Sequence, residues 1–389
     1  MESLSLENFI SLIIVFVSWL LVVFLLTAKT KNKTSNFILA LFLIVNAQDS
    51  SGMFAHYFVY PKFPGWGMII NSTVFFKLPL LYLYVLSVIY SDFKLQKKHL
   101  LHALTWVINI IILTPHFFAV DFDDKLAFLN ENNVEKKPEI WTSYILIHIQ
   151  IAVYIFMCFM AIKKYKLLLL ENYSNASLFN YKWLFQFILL FAIEALLATF
   201  KNVFLFVHLD MAYFITQISV SIFGLGFITW IVLKAMHNPE LFRGININLQ
   251  LVKDLVNKDD HLPKILRNTN NESELGEIIM LKKHMVNGEP FLDATLTIED
   301  LSKQMNFATK DLSILINHHL NQHFFDFVNG YRIRKAMDIL KNPEKKDLTI
   351  LEILYEVGFN SKSSFNTAFK KYTNQTPTQF RDKALKSVA

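Results

Sequence analysis

The chain is 389 residues long, 53% of them hydrophobic and 18% charged, with 37 phenylalanines and a formal net charge of +6; its mean hydropathy is +0.34. This composition excludes a disordered chain and argues against an ordinary soluble domain. The single cysteine, Cys158, lies inside an apolar run, which excludes an internal disulfide framework and a cysteine-ligated metal site.

The apolar weight is uneven: residues 9–233 form a series of long greasy runs, whereas residues 238–389 have soluble composition and hold most of the arginines. A membrane span needs about 20 mostly apolar residues to cross about 30 Å of hydrocarbon. Seven candidates follow in order, residues 9–28, 37–58, 68–90, 100–120, 141–162, 183–207 and 213–233. The second carries Asn46, Gln48, Asp49, Ser50 and Ser51 at its middle, and the third carries Lys77 and Pro79, so counts of six or five stay open. The first run reads as a span instead of a signal peptide, because Glu2 and Glu7 precede it and the lysines follow it. Trp66, Trp141, Trp183 and Trp230 are expected at membrane interfaces.

Lysine bias in short loops sets orientation, because basic side chains resist translocation. With the N-terminus outside, the inner loops hold Lys29, Lys31, Lys33, Lys94, Lys97, Lys98, Lys163, Lys164, Lys166 and Lys182, against outer Lys62, Lys125, Lys136 and Lys137. Asp121, Asp123, Asp124, Glu131, Glu135 and Glu139 crowd the outer loop before the fifth run. Seven crossings then leave the C-terminal part in the cytoplasm. Ionisable groups in hydrocarbon cost at least ~2.5 kcal/mol each unless paired or wetted. Asp49, Lys77 and Glu194 fall near mid-span, and Lys201 lies at i+7 from Glu194 on the same helix face. Their similar depth permits a cluster, read as a ligand or ion pocket whose occupancy shifts helix packing, as a fixed structural pair plus interhelical hydrogen bonds, or as Lys77 snorkelling.

His237, Asn238 and Pro239 end the last apolar helix. The connector holds a short amphipathic piece at 249–256 and an Asn-rich stretch at 267–271, then a helix from 272 or 273 to 286 with Leu275, Ile278, Ile279 and Met285 as its stripe.

Residues 298–316 fit two helices joined by a tight turn: Leu301 and Met305 on the first, Ser302 for close approach, Asn306 for a left-handed turn, and Leu312, Leu315 and Ile316 seating the second. A second copy has Ile350, Ile353 and Val357, then Gly358 in the turn, then Phe365, Ala368 and Phe369. Its turn is one residue longer, and Leu354 stands where a smaller residue is usual. Between the copies, residues 324–341 read as a helix with a basic patch, Arg332, Arg334 and Lys335.

Taken together, the run 332–340 (Arg-Ile-Arg-Lys-Ala-Met-Asp-Ile-Leu), Thr349-Ile350, the run 357–365 (Val-Gly-Phe-Asn-Ser-Lys-Ser-Ser-Phe), Phe369-Lys370-Lys371 and the run 376–381 (Thr-Pro-Thr-Gln-Phe-Arg) resemble the C-terminal DNA-binding domain of the AraC/XylS family of transcription regulators. The resemblance covers about residues 296–381. Asn306 replaces a turn Gly, and Asn374-Gln375 stand where Gly is common before Thr376-Pro377. The apolar half does not resemble the sugar-binding barrel of many members; it is similar to multi-span sensors fused to this domain.

The expected fold is all-α: a seven-helix transmembrane bundle at 1–237, a juxtamembrane linker with helical segments at 238–290, and a cytoplasmic tandem helix-turn-helix DNA-binding domain at 291–389. A linking helix of roughly 18 residues is about 27 Å long, which suits two recognition helices about 34 Å apart on one DNA face. The first recognition helix would face DNA with Thr309, Lys310, Ser313, Asn317 and His318, the second with Lys362, Ser363, Asn366, Thr367 and Lys370, and the linking helix with Arg332, Arg334 and Lys335. Residues 291–389 hold fourteen Lys/Arg against eleven Asp/Glu, so affinity must come from where the charges sit.

The expected function is a membrane-anchored, sequence-specific DNA-binding transcription regulator whose transmembrane region senses a signal. Duplex DNA, membrane lipids, RNA polymerase, a small ligand or ion and a second copy of the chain are the expected partners, and the expected location is a bacterial inner membrane. No cofactor, metal or catalytic group is expected: no GxSxG, HExxH or P-loop occurs, and His56, His148 and His208 lack ligand spacing. The alternatives are a transporter or receptor-like membrane protein whose helical tail is a protein-interaction module, and a regulator released by cutting the Asn-rich stretch.

Overall fold

A computed structural model describes residues 6–27, 33–54, 58–90, 92–130, 137–175, 178–237 and 271–386. The amphipathic piece at 249–256, the Asn-rich residues 267–270, and Lys29, Lys31, His56, Glu131, Glu135 and Lys136 lie outside the described residues. The fold is all-α, and the chain divides into two compact units: Met1–Lys163 with Phe179–Ile247, and Lys164–Leu178 with Asn248–Ala389.

The first unit holds α1 (Leu6–Thr27), α2 (Lys33–Ser50), α3 (Pro64–Ser72), α4 (Lys77–Ile89), α5 (Leu104–Leu113), α6 (Phe122–Asn130), most of α7 (Pro138–Asn172), α8 (Leu178–Phe206) and α9 (Asp210–His237). A 3-10 turn at Thr73–Phe76 joins α3 to α4, so the helix restarts at Lys77 and Pro79 falls in its first turn. Pro79 has no N–H for the carbonyl four residues before it, and that Phe75 carbonyl accepts from Gln150 Nε2 at 3.0 Å instead. Six stretches among the described residues are long and apolar enough to cross a membrane: Asn8–Thr27, Pro64–Ile89, Lys97–Phe118, Pro138–Asn172, Lys182–Phe206 and Asp210–Lys234.

The second expected span is not among them. Its helix α2 begins earlier and stops at Ser50, and Asn46, Gln48 and Asp49 dilute its apolar character. Enclosure by neighbours explains the polarity: α2 packs against α1 and α4. Ser35 Oγ donates to the Ser87 carbonyl at 3.0 Å, Asn36 Nδ2 to the Leu25 carbonyl at 3.2 Å, and Thr73 Oγ1 to Gln48 Oε1 at 2.8 Å. The fifth expected span also differs, since α7 runs ten residues past residue 162, to Asn172. Lys, Leu and Glu fill that extension with no Gly or Pro, and such residues sustain helix.

The second unit holds α10 (Asn271–Asn287), α11 (Ile298–Met305), α12 (Thr309–Ile314, extended by a π turn at Leu315–His319), α13 (Phe324–Lys341), α14 (Ile350–Glu356), α15 (Lys362–Thr373) and α16 (Pro377–Lys386). It has two cores. Leu281, Met285, Phe291, Leu301, Leu312, Ile316, Phe324 and Val328 fill the first; Ile333, Ala336, Ile353, Val357, Phe365 and Phe369 fill the second. Helix α13 contributes to both, so the linking helix is a shared wall.

Each helix pair starts with the same local device. Thr297 Oγ1 accepts from Asp300 N while Asp300 Oδ2 accepts from Thr297 N, at 3.1 and 3.0 Å. Thr349 and Glu352 repeat this reciprocal bonding at 3.1 and 2.7 Å, satisfying amides that a helix start leaves open. Asn306 takes the left-handed turn with φ of 56°. In the second pair Gly358 has φ of +88°, and a Cβ there would meet the carbonyl oxygens of Phe291 and Leu292 at 2.6 and 2.7 Å. That turn is packed against the chain just ahead of the first pair, so Gly is required both by conformation and by space.

Two outcomes follow from these turns. Gly358→Ala should lower the stability of the C-terminal unit by about 2–3 kcal/mol, read by urea unfolding, since left-handed strain and a backbone clash add. Hydrogen bonds from Thr349 hold the Glu352 carboxyl below the usual range. A carboxylate with a depressed folded pKa contributes stability above its unfolded value, about 4.3, that is lost as pH falls through the folded value; Glu352→Gln should therefore flatten the acid side of the stability profile.

Candidate functional site

Two constellations stand out, one in each unit. In the second, the surfaces of α12 and α15 are the expected recognition faces. Lys310, His318, Lys362, Ser363, Thr367 and Lys370 are exposed, while Thr309, Asn317 and Asn366 are half-buried. On α13, Arg334 is exposed and its guanidinium lies 4.3 Å from the Tyr331 ring centroid. Lys335 is half-buried and paired with Glu289 at 2.7 Å.

Three of the expected contact residues are buried or bonded within the unit instead. Ser313 is 6% exposed. Asn317 Nδ2 donates to the Ser313 carbonyl at 3.0 Å and lies 3.4 Å from the Glu171 carbonyl, and its Oδ1 accepts from Phe324 N at 2.9 Å, capping the start of α13. Its amide is committed to the fold, which removes it as an adenine reader. Arg332 is the clearest correction: it is 0% exposed.

All five Arg332 N–H donors are used. Nε donates to the Phe291 carbonyl at 2.6 Å. One terminal nitrogen donates to the Ser174 carbonyl and to Asn329 Oδ1, each at 3.2 Å, and the other to Ser174 Oγ at 3.1 Å and the Asp293 carbonyl at 2.7 Å. The guanidinium also lies 5.5 Å from the Phe359 ring centroid, which belongs to the second helix pair. Burial pulls its pKa down to about 10, against the raising influence of Asp293. Basic composition cannot distinguish this arginine from Arg334; only its apolar neighbours Ile333 and Ala336 on α13 hinted at it.

Residues 171–175, at and beyond the end of α7, pack into the second unit in a way that sequence reasoning missed. Ser174 N and Oγ donate to the Leu296 carbonyl at 3.2 and 2.7 Å. Asn175 Nδ2 donates to the Ala294 carbonyl at 3.3 Å and Asn329 Nδ2 to the Ser174 carbonyl at 3.1 Å. Tyr173 makes an isolated bridge to Thr297. Glu171, Asn172 and Ser174 are buried by these contacts. The lysines just before them marked a loop by charge, but nothing local marks a docking segment.

In the first unit, a cavity of about 370 Å³ is lined by Asp49, Lys77, Glu194 and Lys201 together, along with Ser72, Asn109, His148, Phe191, Asn202 and apolar residues of α5 and α7. Lys77 Nζ lies 3.0 Å from Asp49 Oδ2 and 3.9 Å from Glu194 Oε1. Asn202 Nδ2 donates to His148 Nε2 at 3.2 Å, and His148 Nδ1 lies 3.3 Å from Thr199 Oγ1, whose own hydroxyl donates to the Ala195 carbonyl at 2.8 Å. Asn109 Nδ2 donates to Ser72 Oγ at 3.3 Å. Among the described residues no group of three His, Cys, Asp or Glu is arranged to hold a metal ion.

Two helix pairs, each opened by a threonine cap and held on one linking helix, define a tandem helix-turn-helix domain. A family model described as a helix-turn-helix domain matches residues 301–383, and the C-terminal part of the chain is an AraC-type domain of this kind. Similar curated proteins include the HTH-type transcriptional regulator YdeC of Bacillus subtilis, 31% identical over 86 residues, which are 22% of this chain and 28% of that protein. The Msm operon regulatory protein of Streptococcus mutans is 28% identical over 88 residues, 23% of this chain and 31% of that one. The probable transcription factor PqrA of Proteus vulgaris is 38% identical over 69 residues, 16% of this chain and 57% of that one. The chain thus spans less than two thirds of each relative's length. No solved structure matches the chain at comparable significance.

Substitutions in the C-terminal unit separate structure from contact. Arg332→Met leaves the Phe291 and Asp293 carbonyls and the Ser174 hydroxyl oxygen without their donor and should cost about 3–5 kcal/mol, read as lost hydrogen-exchange protection in residues 290–296 of the full-length protein. Asn317→Ala should cost about 1–2 kcal/mol in the same measurement, while Lys310→Ala and Lys370→Ala should leave protection unchanged.

Proposed function

We propose that the chain is a membrane-anchored transcription regulator that binds duplex DNA through its C-terminal unit and senses a signal through its apolar one. The observation that carries this reading is the pair of exposed recognition faces, on α12 and α15, held by the 18-residue helix α13. A helix of that length rises about 27 Å, so one molecule reads two successive major grooves with modest bending of the DNA. Lys310, Lys362 and Lys370 meet phosphate or guanine, Ser363 and Thr367 meet base or phosphate, and Asn366 meets adenine. His318 and Arg334 flank the two faces. The relatives' names, an operon regulator and a transcription factor, agree with this assignment.

Six apolar helices support the anchor; with α2, enclosed by α1 and α4, counted as a seventh crossing, the ten-to-four lysine bias of the loops supports an inner membrane with the N-terminus outside and the DNA-binding unit in the cytoplasm. RNA polymerase, anionic lipid and a second copy of the chain are the further partners of such a protein. For the signal path, α7 is the element of interest: Ile140, Ile147, His148 and Ile151 line the cavity, and the same unbroken helix ends at Glu171 and Asn172 in the second unit. Occupancy that shifts α7 would act on the Ser174–Arg332 contact without an intermediary.

DNA selection from random duplexes tests the reading, using full-length protein in detergent. A motif with two half-sites about one turn apart is expected, with the salt dependence of log K losing roughly one unit of slope for each of Lys310→Ala, Lys362→Ala and Lys370→Ala. Absence of binding at low salt, with helical content intact, would make the tail a protein-interaction module instead.

A further inference from the structure

The cavity of the first unit is electrically polarised along α8. At one end Asp49, Lys77 and Glu194 form a linked ion group, two carboxylates around one ammonium at 3.0 and 3.9 Å. At the other end stands Lys201, with His148 and Asn202 beside it. Seven residues separate Glu194 from Lys201 on one continuous helix, a rise of about 10 Å that returns to nearly the same face. Leu113, Ile147 and Phe191 supply apolar lining, Phe191 beneath Lys77 with its ring centroid 5.8 Å from Nζ.

We infer that this cavity takes a zwitterionic amino-carboxylate, a free amino acid or a short peptide, with its ammonium group toward Asp49 and Glu194 and its carboxylate toward Lys201. The inference rests on the sensor reading above and names the chemistry of its ligand.

Charge balance selects this class. The two carboxylates and two ammonium groups of the wall sum to zero, with an acidic excess at one end and a basic group at the other. In a site of low polarity an unbalanced charge is expensive. A bare cation or anion would leave the cavity with a net charge, and an uncharged apolar molecule would forfeit both ends. A zwitterion keeps the total at zero and pairs each pole with its opposite. The volume, about 370 Å³, lies at the small end of the range of ligand pockets, which fits an amino acid or a dipeptide. Charges on such molecules lie several ångströms apart, and the long side chains of Lys201 and Glu194 close the remainder of the 10 Å rise.

The test is thermal unfolding and calorimetric titration of full-length protein in detergent micelles. The probes are the free amino acids and a set of dipeptides, each compared with its N-acetyl form, which lacks the cation, and its amide form, which lacks the anion. At least one zwitterion should raise the unfolding midpoint by about 2 °C or more, and both blocked forms should bind at least tenfold more weakly. Lys201→Met and Glu194→Gln should each abolish the shift, with Lys201→Arg restoring it as a control for folding. The more effective arm, amino acid or dipeptide, identifies the source. No response from the whole panel, or equal binding of a blocked form, overturns the inference. DNA selection on the same preparation keeps the two failures apart: retained DNA binding with no zwitterion response sinks only the ligand assignment, whereas lost DNA binding sinks the regulator reading.

Discussion

The C-terminal unit depends on one buried guanidinium. Arg332 gathers backbone oxygens from Phe291 and Asp293, a side-chain oxygen from Asn329, and both the carbonyl and the hydroxyl of Ser174, and lies over the ring of Phe359. Those partners come from the turn ahead of the first helix pair, the linking helix, the end of α7 and the second helix pair. A buried cation without a carboxylate in contact is costly unless every donor is matched, so the geometry of all four pieces is specified together. Lysine could not do this, because its ammonium lacks the planar fork that reaches several acceptors at fixed angles. The domain is a tandem repeat whose halves are joined by a polar bolt at the centre of the linking helix.

Much of this unit was legible in the sequence. Apolar spacing located both helix pairs, the linking helix was bounded at residues 324–341 as found, and Leu312, Ile316, Phe365 and Phe369 are buried as their periodicity required. Asn306 and Gly358 occupy left-handed turns because few other residues tolerate that conformation. What sequence could not reveal was the fate of individual polar groups. Arg332 and Arg334 look alike in a basic run, yet one is interior and the other exposed. Asn317 falls on the outward face by helical count, but its amide serves as a cap. Local patterns report faces of a helix; partners 146 or 158 residues away, Glu171 and Ser174, leave no local trace.

The apolar unit divides along the same line. Charges in hydrocarbon are rare enough that Asp49, Lys77, Glu194 and Lys201 stood out from composition alone, and the fold gathers them around one cavity. Hydropathy succeeded for helices whose outer faces are apolar, since exposed Phe16, Leu20, Val153 and Phe156 carry the signal directly. It misjudged α2, where enclosure by α1 and α4 permits Ser35 and Asn36 to be buried and hydrogen-bonded. It also ended α7 too soon, since apolar content falls after residue 162 while helix propensity does not.

The contact between Ser174 and Arg332 has a consequence for the order of synthesis. Ribosomes deliver the chain N-terminus first, and 158 residues separate the two partners. Both helix pairs carry their own caps and turns, so each can begin to form as soon as it emerges. The bolt cannot close until Arg332 meets a serine made long before, on the far side of α8 and α9 in the chain. A newborn C-terminal unit thus acquires its last acceptors only after the two intervening apolar helices have been laid down, which makes completion of the apolar half a precondition for a finished reader.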